Sequence, residues 1–486
     1  MTDETSSTER RTTEPRTADE WDVIVLGAGP VGENVADRVV KHGLTAVVVE
    51  RDLVGGSCSY HACSPSKAIL RPIAARDGAA HVDGSGVSDD GDVDVRSIFR
   101  RRDSFVADYH DDGQVEWLES AGIDLVRGTG RLDGPRRVVV EARGGEPART
   151  LTARRAVVVA TGSVPQRPAV PGADSSEVWT SADALATDAV PRSLAIVGGG
   201  VVALEMATAF TGLGADVTVV ARGPLLRAFE PFAGESVRGA LEDRGVTFVE
   251  GEVQSLEKND GGWRVATTGG DVDVERVLLA TGRRAAVEDL GLRSVGLEPR
   301  AAHGGLEVDD TLLVEGTDWL YACGDANGRA LLTHQGKYQG LIAGDVIASR
   351  AGGVEPAAGE WDDHHATADR RAVSQVVFSA VEVASAGLTL AQALEQGVDA
   401  RAVDADFDSV AGAGLYRDGY QGRARMVIDN ADDTIVGATF VGSEVSELAF
   451  SAAVVVSSGV TLRRLRHAVP PFPTLSEIWL RLLAEA

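Results

Sequence analysis

The chain carries the same local plan twice, and this repeat constrains its fold more than any other feature. The apolar run Val23-Ile24-Val25-Leu26 leads into Gly27-Ala28-Gly29-Pro30-Val31-Gly32, and a second run, Ala46-Val47-Val48-Val49, ends at Glu50. Further on, Leu194-Ala195-Ile196-Val197 leads into Gly198-Gly199-Gly200, and Val217-Thr218-Val219-Val220 follows. Each copy reads as strand, tight turn, helix, strand. Glycines in such a turn let the backbone approach a pyrophosphate, and the helix N-terminus offers partial positive charge. A lone glycine loop is weak evidence. Two in full strand–helix context predict two dinucleotide-binding units. The segments ending Ala160-Thr161-Gly162 and Ala280-Thr281-Gly282 also match each other, each a buried strand before its glycine.

The two loops differ where the ribose would lie. Glu50 can accept hydrogen bonds from ribose hydroxyls. The matching place in the second copy holds Ala221, followed by Arg222, with Arg227 close behind. Arginine binds a 2′-phosphate in a fork, whereas an acidic side chain repels it. The expectation is therefore NADPH over NADH, unless both arginines are simply solvated. That alternative has weight here, because 47 cationic residues include only four lysines, Lys41, Lys67, Lys258 and Lys337.

The formal net charge is −26. Such an acidic surplus keeps a protein soluble and suits a salt-rich cytoplasm. It argues against a nucleic-acid partner, since no basic stripe exists to displace counterions. No apolar run reaches membrane-spanning length, and Met1 to Glu20 has no apolar core of a secretory signal. The expectation is a cytoplasmic protein with a disordered tail over 1–20. Acidic, glycine-rich stretches at 77–94 and 258–273 read as surface loops, and 351–368 as a linker. No metal site is expected, because His364-His365 has no third ligand nearby.

Only three cysteines occur, Cys58, Cys63 and Cys323, too few for a secreted disulfide scaffold. Two of them sit in Gly55-Gly56-Ser57-Cys58-Ser59-Tyr60-His61-Ala62-Cys63-Ser64-Pro65-Ser66-Lys67. At that spacing a regular helix holds Cα atoms roughly 8–9 Å apart, beyond a disulfide's reach. Bridging therefore needs an irregular turn, which Gly55 and Gly56 permit. Pro65 suits the first turn of a helix, which places Cys63 beside a helix N-terminus and favours its thiolate. The competing reading is two small buried hydrophobes.

This signature resembles the active site of the pyridine nucleotide–disulfide oxidoreductases, a family that includes dihydrolipoamide dehydrogenase, glutathione reductase and mercuric reductase. The resemblance runs over about 21–486. It implies an α/β fold with two Rossmann-like units: FAD-binding over 21–165 and 283–350, and NAD(P)-binding over 166–282. A C-terminal α+β dimerisation domain over 369–486 would make a homodimer. It implies FAD as cofactor, contacted by Gly27, Gly29, Gly32, Glu50, Gly56, Ser57, Gly130, Thr161 and Gly162. Asp325, in Ala322-Cys323-Gly324-Asp325, matches the ribityl-binding position, and Leu332-Thr333-His334 a flavin-side segment. Gly198, Gly200, Arg222, Arg227 and Gly282 fall to NADP, with NAD possible. Cys63 would be the thiolate facing the flavin, Cys58 the interchange thiol that attacks substrate, and Lys67 with Glu205 an ion pair near flavin N5. Cys323 matches no catalytic position and reads as a buried filler.

One departure stands out. The family's disulfide-reducing members end in His-Pro-Thr-x-x-Glu, whose His comes from the partner subunit and serves the interchange thiol. This chain reads Phe472-Pro473-Thr474-Leu475-Ser476-Glu477. Phenylalanine cannot move a proton; losing a general base typically costs about 10²–10⁴-fold. Glu477 remains. His61, between the cysteines, and His467, five residues before Phe472, are the histidines that could take over the role, but each reads first as structural. Mercuric reduction is disfavoured because the C-terminus, ending Leu482-Leu483-Ala484-Glu485-Ala486, lacks the metal-delivering cysteine pair. The first reading is an NAD(P)H-dependent disulfide reductase. The alternatives are a dihydrolipoamide dehydrogenase-like enzyme, which Phe472 and the Ala221-Arg222 pattern weaken, an NAD(P)H reductase of quinones or similar acceptors, and a non-turnover redox sensor.

Overall fold

The computed structural model describes residues 19–88, 93–142, 147–298, 304–357 and 359–486. The tail expected over 1–20 lies outside them except for Asp19 and Glu20, and Glu20 opens the first strand.

Strand Glu20–Leu26 forms the centre of a seven-stranded sheet, with parallel neighbours Ala46–Glu50 and Arg149–Val159. Val23, Ile24 and Val25 have no exposed surface. Parallel sheets are covered on both faces, so their strands read as unbroken apolar runs. Helix Pro30–Lys41 packs on helix Thr333–Ala351, where small residues let the axes close: a Cβ on Gly336 would stand 2.5 Å from Val31. The strand Leu320–Ala322 pairs parallel with Arg149–Val159, so late residues complete a sheet begun at Glu20.

The second copy folds as a four-stranded parallel sheet in the order Thr247–Glu250, Asp216–Ala221, Ser193–Val197, Arg276–Leu279. An antiparallel pair, Arg283–Ala285 with Ser163–Pro165, carries the crossings between the two units. A five-stranded antiparallel sheet, with helices Leu448–Ser457 and Ile478–Glu485 against it, forms the C-terminal α+β unit.

Two loop expectations are corrected. The stretch 258–273 is largely a meander of strands Val253–Asn259, Gly262–Thr267 and Val272–Val274. Trp263, Val265 and Thr267 point inward in alternation, a short period-2 signal hidden among Gly and Asp residues. The stretch 77–94 begins inside helix Cys63–Ala80, whose last turn is acidic and glycine-bearing yet helical. Its residues 89–92 lie outside the described ones. Between Ala351 and Ala368 the described residues form turns without helix or strand, as a connecting segment does.

Candidate active site

The irregular turn that the cysteine spacing requires is present. Helix Gly56–Tyr60 stops at His61, Ala62 adopts φ −143° and ψ −93°, and helix Cys63–Ala80 starts at once. The break thus falls between the two cysteines. Gly56, at φ 60°, lies against the first glycine loop so closely that a Cβ there would stand 2.7 Å from the Gly29 Cα. Pro65 occupies the first turn of the long helix, where its missing N–H has no partner to lose.

Cys58 and Cys63 are free thiols in the structure. The Thr333 hydroxyl lies between them, 3.2 Å from Cys58 Sγ and 3.4 Å from Cys63 Sγ. The pair is electrically unequal. A hydrogen bond from Cys58, the Thr333 hydroxyl and the Lys67 charge together hold the Cys63 thiol below its ordinary value, against the opposing effect of burial. Cys58, as the donor in that bond and buried besides, is pushed well up. A thiolate forms above its pKa, so Cys63 should be reactive in mild acid while Cys58 stays protonated. In the reduced protein without flavin, alkylation is expected to modify Cys63 at a lower pH than a free thiol requires and to spare Cys58 up to neutral pH. Equal modification of both at pH 7, read by peptide mass, would contradict this division.

Lys67 supplies that charge from a fixed place. Its Nζ is 2.7 Å from Glu205 Oε2, and it lies 5.0 Å from the Phe378 ring centroid. Glu205, buried on helix Val201–Gly212, accepts a second bond from the Phe378 backbone N–H at 3.2 Å. The expected ion pair is therefore formed, and it joins both nucleotide units to the C-terminal unit.

The first nucleotide crevice fits FAD. Gly32 allows helix and strand to touch: a Cβ there would lie 2.0 Å from the Gly27 carbonyl oxygen. Glu50 is buried and accepts from the Ala28 and Asp52 backbone N–H groups, both at 2.7 Å, which aims its carboxylate from the strand end. Gly130 sits where a side chain would strike Leu26 and Val49. Ser57 lies in the short helix that carries Cys58. Thr161, two residues past the end of strand Arg149–Val159, has a buried Oγ1 with no protein partner among the described residues. The same holds for Glu33 Oε1 on the glycine-loop helix, and burial pushes that carboxyl up to about 7. Orphaned buried oxygens and a glycine-lined crevice suit a polar ligand.

Asp325 is not alone. Its Oδ2 accepts from Ser163 Oγ at 2.5 Å, and Ser163 Oγ in turn accepts from Arg283 Nε at 2.7 Å. The Arg283 guanidinium is held by burial below its ordinary value, with the Asp325 and Cys63 charges opposing. Sequence reasoning missed Arg283 and Ser163. Arg283 directly follows the second Ala-Thr-Gly, and that adjacency was the available signal. Leu332 precedes helix Thr333–Ala351 as its N-cap residue. His334 directs its Nε2 to the Ser374 carbonyl at 2.7 Å, tying this helix to the C-terminal sheet. Cys323 is buried, as expected of a filler.

The second crevice is a cavity of about 710 Å³ lined by Gly198, Gly200, Ala221, Arg222, Arg227 and Gly282 among others. The expected nucleotide residues of the second copy thus share one cavity.

Elsewhere the expectations separate. Phe472 is 76% exposed. Glu477 forms a capping box with Thr474, its Oε2 accepting from the Thr474 N–H at 3.3 Å. The carboxylate thus has a local role within its own helix start. His467 is exposed. His61 stacks on Tyr109, with ring centroids 5.8 Å apart. His365 pairs with Asp310 at 3.2 Å.

Two dinucleotide folds meeting at one dithiol, with a lysine–glutamate pair beside it, define a flavin-linked redox enzyme. The sequence matches the pyridine nucleotide-disulphide oxidoreductase family over residues 21–340 and that family's dimerisation domain over 373–482, and the chain belongs to this family. It is 33% identical over 471 residues to a dihydrolipoyl dehydrogenase of Halobacterium salinarum, covering 94% of each chain. The solved structure of LpdA from Mycobacterium tuberculosis superposes with a TM-score of 0.81 at 25% identity, covering 96% of this chain and 99% of that one. The fold is also that of the HOCl-induced flavoprotein disulfide reductase RclA from Escherichia coli, solved as a Cu(II) complex, with a TM-score of 0.80 at 22% identity and the same coverage. The protein is accordingly a FAD-dependent oxidoreductase of disulfide-reductase type. Among the described residues no helix is long and apolar enough to cross a membrane.

Proposed function

We propose that this enzyme reduces a small-molecule disulfide at the expense of NADPH, with NADH a poorer donor. The observation that carries the reading is the Thr333-bridged pair of free thiols beside Lys67, in which Cys63 alone is disposed to be a thiolate. Bound FAD supplies two-electron transfer between the nicotinamide and the thiols. One hydride equivalent opens the Cys58–Cys63 disulfide to one thiol and one thiolate, and the stated asymmetry puts the proton on Cys58. Cys58 must then lose that proton to attack a substrate disulfide, and the departing substrate thiolate must gain one. Lys67, held by Glu205, keeps the negative charge on Cys63 throughout. Arg222 and Arg227 at the second cavity support the NADPH preference.

Phe472 favours one competing reading, a reductase of quinones or similar acceptors, since these do not need a proton managed at Cys58. The haloarchaeal relative is named for dihydrolipoyl, so a dithiolane disulfide belongs among the acceptors to try. A homodimer built on the C-terminal domain fits the exposed apolar side chains Phe450, at 75%, and Val469, at 82%. The acidic surplus and the haloarchaeal kinship support a cytoplasmic, salt-adapted protein.

The test is anaerobic. The holoenzyme receives one equivalent of NADPH in molar KCl, its accessible thiols are counted, and a small disulfide or a quinone is added. Two new thiols that disappear with the disulfide support the proposal. Loss with quinone alone favours the competing reading, and inactivity in molar KCl removes the salt-adapted one.

A further inference from the structure

Ala221 and Arg222 were read above as a loss of acidic character at the ribose end of the second cavity. The folded chain brings acidity back from another strand. Thr247–Glu250 lies beside Asp216–Ala221, with Glu250 opposite Ala221. The Gly251 N–H donates to the Ala221 carbonyl at 3.0 Å, and Glu252 follows into the cavity wall. The Glu252 N–H donates to Thr268 Oγ1 at 2.9 Å, while the Thr268 N–H donates to the Glu252 carbonyl at 3.0 Å. The backbone of Glu252 is thus pinned on both sides, although its side chain is 67% exposed. Its Oε1 stands 3.7 Å from Arg222 Nη1. Arg227 lies across Gly223, its Nη2 2.7 Å from where a Cβ on that glycine would be. Among the described residues it has no carboxylate partner.

The cavity therefore offers two arginines of unequal freedom and one carboxylate. An exposed ion pair is worth little, so Arg222 is available to a stronger anion, but the Glu252 charge stays in place. A ribose 2′-hydroxyl can donate to that carboxylate. A 2′-phosphate, with nearly two negative charges, is repelled by it. We propose that Glu252 is the specificity-determining residue of this cavity: it supports NADH through the 2′-hydroxyl and limits the advantage that Arg222 and Arg227 give NADPH. The inference rests on the reading of this cavity as the nicotinamide-nucleotide site, and it makes the NADPH preference one of degree.

Calorimetric titration of the holoenzyme with adenosine 2′,5′-bisphosphate and with ADP-ribose tests it without turnover. Glu252→Gln is expected to bind the 2′-phosphorylated ligand about fivefold more tightly, and ADP-ribose more weakly. The gain for the bisphosphate should fade in molar KCl, where the Debye length is about 3 Å, whereas a purely structural effect would survive. Unchanged affinities, or equal changes for both ligands, overturn the role of Glu252. The Arg227→Ala variant separates the two levels of the argument. If it loses affinity for the bisphosphate while Glu252→Gln does nothing, the cavity is the nucleotide site and only the inference fails. If neither ligand binds the wild-type cavity, the site assignment falls, and the inference with it.

Discussion

Cys58→Ser is expected to lower kcat/KM for every disulfide acceptor by at least about 10³-fold. Serine can neither re-form the bond to Cys63 nor attack a substrate sulfur at neutral pH. The substitution is nonetheless gentle. A serine hydroxyl can still donate to Cys63, and Thr333 and Lys67 remain in place, so the Cys63 thiolate persists. Electron delivery from NAD(P)H to the flavin is then intact while the outgoing step is blocked. Kinetics with a disulfide and a quinone, measured side by side, give the answer. Loss of the first with retention of the second is the expected result, and it also shows that quinone turnover bypasses Cys58. A variant that still reduces disulfides at the parental rate removes Cys58 from the mechanism.

The second large effect is a gain. Phe472→His is expected to raise disulfide turnover by roughly 100-fold, the low end of what a positioned general base contributes. The substitution disturbs no core, because the Phe472 side chain is 76% exposed in its own chain. The frame that would hold an imidazole is already present in Pro473, Thr474 and Glu477, and the capping box keeps the Glu477 carboxylate at the helix start. If this segment approaches the partner subunit's thiols, as the family resemblance implies, the new imidazole would take the Cys58 proton and return it to the leaving thiolate. The pH profile for disulfide reduction should also gain a limb near the ordinary histidine range. Turnover and profile both unchanged would show that residue 472 does not approach a partner's Cys58. A gain with quinone of the same size would point to an effect unrelated to thiol chemistry.

What could be read from the sequence depended on how local each signal was. The glycine loops and the apolar strands are contiguous, and they fold as expected. The cysteine spacing excluded a regular helix, and the chain does break at His61-Ala62. The Lys67–Glu205 pair joins residues far apart in the chain, and no propensity or period marks it; only the resemblance suggested it. Arg102 was invisible for the opposite reason. Arginine is ordinarily a surface residue, yet this one is 1% exposed and donates to the Leu185 and Thr187 carbonyls. Ala221 was legible but its surroundings were not, because strand pairing sets Glu250 opposite it and so brings Glu252 to Arg222. The meander at 262–267 was lost to composition, since glycine and aspartate outweighed three inward-facing residues. The meander apart, the missing information was a contact between distant segments.

The strand Leu320–Ala322 has a consequence for the order in which this protein is made. It pairs with Val157 to Val159, so the first sheet stays one strand short until translation has passed Ala322. The second parallel sheet needs nothing beyond Leu279 and can close sooner. Asp325 follows the late strand by three positions and Thr333 by eleven, so both are made after every strand of the second sheet. A chain stopped near residue 300 therefore contains all four strands of the second sheet but lacks one strand of the first.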